Sequence, residues 1–588
     1  MKPNETARVF GSWYEPVTLF FGVWLLVFAI GFPFASLDPF PHHEGSILYP
    51  AYAANHGIMP LKDVAVQHLP TTPFMYSLAF KCFGETLLVS RYVTLVVIAC
   101  LAGCLSLIGR CFIPSKLAGG FTVVYAVSSW LIWDLITRPW PSLWALCFVT
   151  ASSLTLCHYA SRGGNRLLLL AGTLTGGAFV FRINLGGYAL VAFTLVLIGL
   201  AWQKGQFWNR RAFWALLKEL TTLWMACAAV ILLSALSYAY ILGIAPLVKL
   251  FAFQKHMLPI LQSLTGRYHA LSDLGVSRIG LSTGGLYVLT YVVGCGVLFR
   301  RRLAWPEATA LAVAVLICGE RLRFLSLDLG IPVIIVALWD WWRNNLGLSA
   351  PERSRYLVLI GTAAAAWGLM FPGHDPRYLA WSGGLIFLLI AVRLYWLWRS
   401  PCEAGQPNKI ILGVVSVALF LLTINVPQAK RLAQVLRSPR VLIATGGFYK
   451  SMRGDPAAGR GYADYAALRE YVQRHSSPKD TVLILSDESL HAADWERSPA
   501  SLPHINLDNL LYRLPNGPEI ERNMIAKFRK SPPALVLKRN ESWELPSVLL
   551  DSAFPELNAY IETSYQTAWE SPSRFYTVLV PRANRERN

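Results

Sequence analysis

The sequence carries little charge for its length. Only 15% of its 588 residues are Asp, Glu, Lys or Arg, whereas 54% are hydrophobic and the mean hydropathy is +0.42. Soluble domains usually contain about 25% charged residues. The composition therefore excludes an ordinary soluble enzyme and indicates a chain whose main solvent is lipid.

Several common site patterns are also missing. The ten cysteines show neither zinc nor disulfide spacing, and most lie in apolar runs, where a small buried hydrophobe is the expected role. No Gly-x-Gly-x-x-Gly loop opens a helix in the C-terminal part, which argues against a dinucleotide site. The net charge of +19 does not indicate nucleic acid, because Lys and Arg cluster in short segments between apolar runs.

Long apolar runs are what the sequence has in abundance. A spanning helix needs about 20 mostly apolar residues, and about thirteen runs of that kind are found before position 427. We predict spans at residues 17–37, 86–109, 117–136, 140–160, 166–181, 187–202, 222–243, 279–299, 304–319, 325–342, 356–372, 378–398 and 410–426.

The basic residues predict how these spans are oriented. With the N-terminus in the cytoplasm, the Lys and Arg clusters between spans fall on the cytoplasmic side, as the positive-inside rule requires. We therefore predict a multi-pass plasma (inner) membrane protein with two domains, a transmembrane domain at 1–426 and a soluble extracytoplasmic domain at 427–588. In the second domain, the helical face shared by Tyr462, Tyr465, Leu468 and Val472 predicts a helix from about Gly461 onward, and further helices are predicted near 518–530 and 546–560. Alternation and turn residues predict strands at 481–486, 534–538 and 575–580.

The first outer loop, residues 38–85, is the part richest in chemical groups. Asp38, Glu44 and Asp63 lie there with several histidines. Apolar residues after Glu44 recur at helical spacing, which predicts a helix lying along the membrane surface with its apolar face in the headgroups. Glu44 at the start of that helix has two interpretations: a charge partner of the helix N-terminus, or a general base tuned by partial burial.

The loop resembles the GT-C superfamily of membrane glycosyltransferases, in particular the protein O-mannosyltransferases and lipid A aminoarabinose transferases. The matching elements are His43-Glu44, the Gly57–Asp63 element, His68-Leu69-Pro70, Phe83-Gly84 and Arg91. Two positions depart from the family pattern, because His43 replaces an acid and Leu69 replaces a proline. The resemblance implies a polytopic α-helical membrane protein of GT-C type, with a C-terminal extracytoplasmic α/β domain.

The resemblance also implies an inverting glycosyltransferase that uses a polyprenyl-phosphate-linked sugar. The acceptor would be a hydroxyl of a glycan, lipid or protein, membrane lipids would be the other partners, and nucleic acid would not be one. We expect Glu44 to act as the base, with Asp38 and Asp63 as other candidates. Because the planar guanidinium of Arg matches phosphate oxygens, Arg182 is the first candidate for the donor phosphate. Further phosphate candidates are Arg321, Arg323, Lys255 and His256, and further site-lining candidates are His43, His68, Arg91, His374 and Asp375.

Cofactor use and function each have an alternative. No cofactor is expected, although Asp38, His42, His43, Glu44 and Asp63 together could supply ligands to a divalent metal. A lipid-linked oligosaccharide transporter or flippase would usually show repeated halves with charges near the membrane midplane. An O-antigen polymerase or ligase would carry its large loop between late spans, whereas here the long loop comes first.

Overall fold

The structure is a computed structural model. It describes residues 14–37, 41–61, 69–131, 136–205, 209–248, 330–344, 346–370, 376–399, 433, 437, 440–454, 462–485, 490–499, 517–540 and 555–582.

The N-terminal part is built from helices. Their bounds are α1 Tyr14–Gly31, α2 Pro41–Asn55, α3 Thr71–Phe83, α4 Leu87–Arg110, α5 Ser115–Tyr125, α6 Pro141–Arg162, α7 Asn165–Phe181, α8 Ile183–Gln203, α9 Arg210–Leu242, α10 Gly330–Arg343, α11 Ala350–Trp367 and α12 Pro376–Arg399. A 3-10 turn (Phe32–Phe34) extends α1, and a π-helical turn (Ala126–Leu131) extends α5. Each predicted apolar run within the described residues corresponds to one of these helices. The runs predicted at 279–299, 304–319 and 410–426 lie outside the described residues.

Several of these helices suit a lipid environment. Five are long and apolar enough to cross a membrane: Tyr14–Phe34, Leu87–Arg110, Pro141–Arg162, Ile183–Gln203 and Arg210–Leu242. Two shorter apolar helices, Asn165–Phe181 and Ala380–Trp396, lie beside them. Large apolar side chains point outward from α1 and α9, for example Leu25 at 61% and Leu233 at 68% exposure. Such surfaces are stable in acyl chains and costly in water.

The two ends of the helical bundle are marked by polar contacts. At one end the Arg110 guanidinium at the end of α4 donates to Glu15 at the start of α1, with Nη2 to Oε2 at 3.1 Å, and the Ser115 hydroxyl also donates to Glu15. The other end carries α2, α3 and the break between α7 and α8. We call it the loop end, defined by residues 32–37, 41–61 and 69–86.

The C-terminal part is an α/β domain. Its elements are β1 Val441–Leu442, β2 Arg453–Gly454, α13 Tyr462–His475, β3 Thr481–Leu485, α14 Leu490–Trp495, β4 Ser498–Pro499, α15 Gly517–Lys530, β5 Leu535–Arg539, α16 Pro555–Ser564, β6 Tyr565–Glu570 and β7 Tyr576–Pro581. A five-stranded sheet has the order β4-β3-β5-β7-β6, with β4, β3 and β5 parallel and β7 antiparallel to both neighbours.

The sequence predicted six elements of this domain but missed β1, β2, α14, β4 and β6. The strands predicted at 481–486, 534–538 and 575–580 are β3, β5 and β7, and the helices predicted from about Gly461 onward and near 518–530 are α13 and α15. The helix predicted at 546–560 is observed only from Pro555, since residues 541–554 lie outside the described part. Strand β6 escaped prediction because it lies at the sheet edge and is largely exposed, so it lacks a clean apolar alternation.

The C-terminal domain shares a hydrophobic core with the loop end. Side chains of α2 and α3, such as Leu48 and Phe80, belong to the same buried cluster as Phe448, Tyr465 and Trp495. Helix α14 packs directly on α2. A second, smaller core lies on the other side of the sheet, beneath α15 and α16.

Candidate functional site

A buried ion pair joins the start of α2 to α4. Arg91 Nε donates to Glu44 Oε1 at 2.7 Å, and Arg91 Nη2 donates to Glu44 Oε2 at 2.9 Å. Both side chains are 1% exposed. Arg91 Nη1 also donates to the carbonyls of Ala35 at 3.2 Å and Leu37 at 2.5 Å. This paired, hydrogen-bonded arrangement offsets the cost of burying two charges.

The predicted surface position of α2 is wrong. The helix exists where the sequence predicted it, but its apolar side chains Ile47, Leu48 and Ala51 are buried in protein, at 3%, 0% and 0% exposure. They pack against α3 and the C-terminal domain, where the prediction placed lipid headgroups. Helical periodicity identifies an apolar face, but it does not distinguish lipid from protein as the partner of that face. Glu44 is accordingly fully buried, whereas partial burial was predicted.

Arg182 occupies a break between two helices at the loop end. Helix α7 ends at Phe181 and α8 begins at Ile183, and Arg182 between them is extended, with φ −150° and ψ 105°. Its Nε donates to Asn184 Oδ1 at 3.1 Å, and its Nη1 donates to the Ser142 hydroxyl at the start of α6. The side chain is partly exposed. These contacts orient a guanidinium that still reaches the surface of the bundle end.

The first loop packs beside this break. The Thr71 hydroxyl at the start of α3 donates to the Val180 carbonyl at 2.7 Å and is hydrogen-bonded to the Tyr238 hydroxyl at the end of α9. Met59 and Leu61 contact the apolar cluster formed by Val180, Tyr238 and Leu242. Leu61 has a positive φ of 66°, which is costly for a branched side chain and is retained only where surrounding structure enforces it. The loop therefore approaches α7 within two residues of Arg182.

The structure locates some of the predicted site residues. Glu44 and Arg91 form one cluster, and Arg182 lies in another with Ser142 and Asn184. His43 lies in the first turn of α2. The remaining predicted residues lie outside the described part of the chain: Asp38, Asp63, His68, Lys255, His256, Arg321, Arg323, His374 and Asp375. Within the described residues, no three His, Cys, Asp or Glu side chains form a group that could hold a metal ion.

Three polar residues of the Arg182 region were not predicted from the sequence. Ser142, Thr71 and Tyr238 come from three different helices and meet only in the folded chain. Ser142 follows a Trp-Pro pair at a helix start, and Tyr238 lies within an apolar run. Neither setting distinguishes them from ordinary helix residues, so no local signal could have identified them.

Comparison with known proteins gives similarity only at the level of structure. No protein-family model and no curated protein matches the chain. Among solved structures, the chain is similar to the apo oligosaccharyltransferase of Archaeoglobus fulgidus, with a TM-score of 0.49, 13% identity, and coverage of 95% of this chain and 73% of that one. The same enzyme tethered to an acceptor peptide gives a TM-score of 0.46 at 12% identity, covering 96% and 73%.

ArnT from Cupriavidus metallidurans in the apo state is also similar, with a TM-score of 0.39, 12% identity, and coverage of 96% of this chain and 97% of that one. All of these TM-scores are below 0.5. The case for a function therefore rests on residues of this chain.

Proposed function

We propose that the protein is a membrane glycosyltransferase that moves a sugar from a polyprenyl-phosphate donor to an acceptor hydroxyl on the outer face of the membrane. The observation that carries the proposal is the Arg182 guanidinium, held by Ser142 and Asn184 at the end of the bundle where the first loop lies. An oriented guanidinium suits a phosphate group, because its fork can donate two parallel hydrogen bonds to two oxygens.

The reaction requires a base and a cation on opposite sides of the sugar. A carboxylate removes the proton of the acceptor hydroxyl, and the resulting oxygen attacks the anomeric carbon. The bond between that carbon and the phosphate oxygen breaks with its electron pair, leaving polyprenyl phosphate and an inverted product. Arg182 would hold the leaving phosphate, so that the charge developing on its oxygens is stabilised.

The burial of Glu44 favours a different carboxylate as the base. Both oxygens of Glu44 accept hydrogen bonds from Arg91, and the side chain is 1% exposed, so it has little access to an acceptor. We assign the base role to Asp63, since Leu61, two residues earlier, packs against the apolar cluster that contains Val180, two residues before Arg182. Asp38 is the second candidate, and Glu44 takes a positioning role with Arg91.

The remaining predicted residues belong to the same proposal. His43 and His68 would line the site, and His374 and Asp375 would line the donor pocket. Lys255, His256, Arg321 and Arg323 would add further cations for the donor phosphate. The outer-face location follows from the positive-inside orientation, with the C-terminal domain extracytoplasmic.

Purified protein in lipid nanodiscs, offered a panel of polyprenyl-phosphate sugars, tests the activity directly. Release of polyprenyl phosphate is the readout, because it reports both transfer and hydrolysis and needs no known acceptor. We expect Asp63→Asn to abolish release and Glu44→Gln to lower it through misplacement of the loop. Full release by Asp63→Asn would remove Asp63 from the base role.

The helix that precedes Arg182 offers a matched control for the phosphate contact. Arg182→Ala should weaken binding of a short polyprenyl phosphate by about 2 kcal/mol, or roughly thirtyfold in Kd. Arg166→Ala removes an exposed arginine at the opposite end of α7 and should leave the affinity unchanged. Equal affinities of the two variants would show that Arg182 does not bind the phosphate.

A further inference from the structure

We propose that the C-terminal domain is a fixed part of the catalytic unit, in which residues 440–454, here called the brace, hold the first loop in its working position. This inference rests on the proposed function, since the loop carries the candidate base. The domain would then position the first loop, and it would not act as a separate module that binds the acceptor.

Three consecutive backbone carbonyls at the end of the first span all accept hydrogen bonds. Arg91 Nη1 donates to the carbonyls of Ala35 and Leu37, as described above. The carbonyl between them, that of Ser36, accepts from the Arg453 backbone N–H of the brace at 2.7 Å. Leu37 and Arg453 also form a parallel β-bridge. The chain is thus fixed from two sides immediately before it enters the loop.

The brace makes a second main-chain contact at the other end of the loop. Leu87 is the first residue of α4, and its N–H donates to the Phe448 carbonyl at 2.8 Å. The first four N–H groups of a helix have no partner within the helix, so the brace supplies one from the C-terminal domain. Residues 36–37 and 87 bracket the loop, and both are bonded to the same segment of the C-terminal domain.

Aromatic packing fixes the brace on the loop helices. The Phe448 ring is 1% exposed and packs edge-on against Phe80 of α3, with centroids 5.6 Å apart, and against Tyr52 of α2, with centroids 5.9 Å apart. The surrounding cluster is continuous with the core of the domain. An apolar contact of this kind resembles a domain interior more than a transient interface, which would be more polar.

These contacts give the brace a specific consequence for the site. The loop helices α2 and α3 are held between the brace and the bundle, and α3 begins at Thr71, which bonds to Val180 beside Arg182. Release of the brace would free both ends of the loop while leaving the helix break at Arg182 intact. Donor phosphate binding should therefore survive, whereas turnover should fall.

The test uses two buried phenylalanines of the same domain. Phe448→Ala removes the ring that packs on α2 and α3. Phe528→Ala removes an equally buried ring, 1% exposed, from the separate core beneath α15, away from the loop. Hydrogen exchange of the full-length protein in nanodiscs reads out the Leu87 and Arg453 amides, and polyprenyl-phosphate release and binding read out the site.

We expect Phe448→Ala to accelerate exchange at Leu87 and Arg453 and to lower release at least tenfold, with polyprenyl phosphate affinity changed less than twofold. Phe528→Ala should leave these amides protected and release within about twofold of the parent protein. Faster exchange with full release in Phe448→Ala would overturn the proposal. Unchanged exchange in Phe448→Ala would overturn it as well, because the brace would then not depend on this contact.

A reversible tether separates positioning from general destabilisation. Leu37→Cys combined with Arg453→Cys places two thiols across the β-bridge, where paired residues suit disulfide geometry. Added to Phe448→Ala, the oxidised pair should restore release, and reduction should abolish it again. Failure of the formed disulfide to restore release would count against the brace. If the parent protein releases no polyprenyl phosphate at all, the proposed function fails, while the exchange data still show whether the brace is docked.

Discussion

Glu44 and Arg91 form a bidentate, buried ion pair at the junction of the first loop and the helical bundle. The two residues are 47 positions apart, and both carboxylate oxygens face the guanidinium at 2.7 and 2.9 Å. Arg91 bonds in addition to the chain end of the first span. A pair of this kind fixes the relative position of three chain segments.

Removal of one member of this pair should be strongly destabilising. Glu44→Gln leaves Arg91 buried without its counter-charge, which typically costs about 3–5 kcal/mol in the free energy of unfolding. The double variant Glu44→Gln/Arg91→Gln should cost less than the sum of the two single variants. Denaturant unfolding in detergent measures the free energy of unfolding of the parent protein and the three variants.

The exposed ion pair of Glu470 and Arg474 is the control, where Glu470→Gln should change the free energy of unfolding by at most about 0.5 kcal/mol. Additive costs at Glu44 and Arg91 would contradict the coupling.

The residue that accepts a hydrogen bond from Arg182 should contribute to the affinity for polyprenyl phosphate, because it orients the guanidinium. Ser142→Ala removes the hydroxyl that accepts from Arg182 Nη1, and loss of a hydrogen bond to a charged group costs about 1.5 kcal/mol, or roughly tenfold in polyprenyl phosphate affinity. Ser152→Ala is the control on the same helix, because this buried hydroxyl donates to the Ala171 carbonyl instead, at 2.9 Å. A titration of each variant with polyprenyl phosphate gives the comparison. If both serines have the same effect, Ser142 does not orient Arg182.

Two neighbouring glycines at the start of α8 should respond differently to alanine. A Cβ on Gly186 would lie 2.2 Å from the Phe179 Cα of the preceding helix, so Gly186→Ala must shift the break that holds Arg182. A Cβ on Gly187 would meet nothing within 4 Å. We expect Gly186→Ala to lower both the unfolding temperature and polyprenyl-phosphate release, and Gly187→Ala to leave both unchanged. Thermal unfolding and release assays on the pair decide this, and a tolerated Gly186→Ala would show that the close approach is not maintained.

The buried carboxyl of Asp494 should give the C-terminal domain a characteristic pH dependence. Asp494 is fully buried, and burial raises its pKa, although the Tyr449 N–H and the Tyr465 hydroxyl both donate to it at 2.8 Å. The unfolded chain, with a pKa of about 3.9, therefore loses this proton at lower pH than the folded chain. Between the two pKa values the folded state binds more protons, so the free energy of unfolding falls as pH rises.

Asp494→Asn removes this titration but keeps an oxygen that can accept from the Tyr449 amide. As the pH rises above about 3.9, the free energy of unfolding of the parent protein should therefore fall relative to that of the variant. Unfolding midpoints at intervals between pH 3.5 and 7 measure this difference. If the parent protein instead gains stability relative to the variant over the same range, the Arg469 guanidinium, 3.0 Å away, has a larger effect on the pKa of Asp494 than burial does.

Much of the fold was predictable because its signals are local. Apolar runs such as 86–109 and 140–160 match α4 and α6 to within about two residues, which is the usual uncertainty of a helix end. Strands β3 and β5 were predicted for the same reason, since alternation within a short segment bounded by turn residues is a local signal. The exposed edge strand β6 lacks that signal and was missed.

The candidate site was less predictable because it depends on contacts between distant segments. Arg182 lies between two apolar runs in the sequence and between two helices in the structure, but its partner Ser142 lies 40 positions away. Glu44 was recognised as unusual from its motif, yet the motif does not reveal that Arg91 neutralises it. A carboxylate at a helix start is equally compatible with an exposed base and with a buried partner.

The sequence by itself determined that this chain has several helices fit for lipid and a C-terminal α/β domain, since run length, periodicity and the placement of charge are properties of contiguous residues. Only the tertiary structure decided that α2 faces protein, that Glu44 is paired, and that the Arg453 amide and the Phe448 carbonyl hold the two ends of the first loop. These outcomes depend on which distant segments meet. Burial and pairing, which control the chemistry of a charged group, arise only from that encounter.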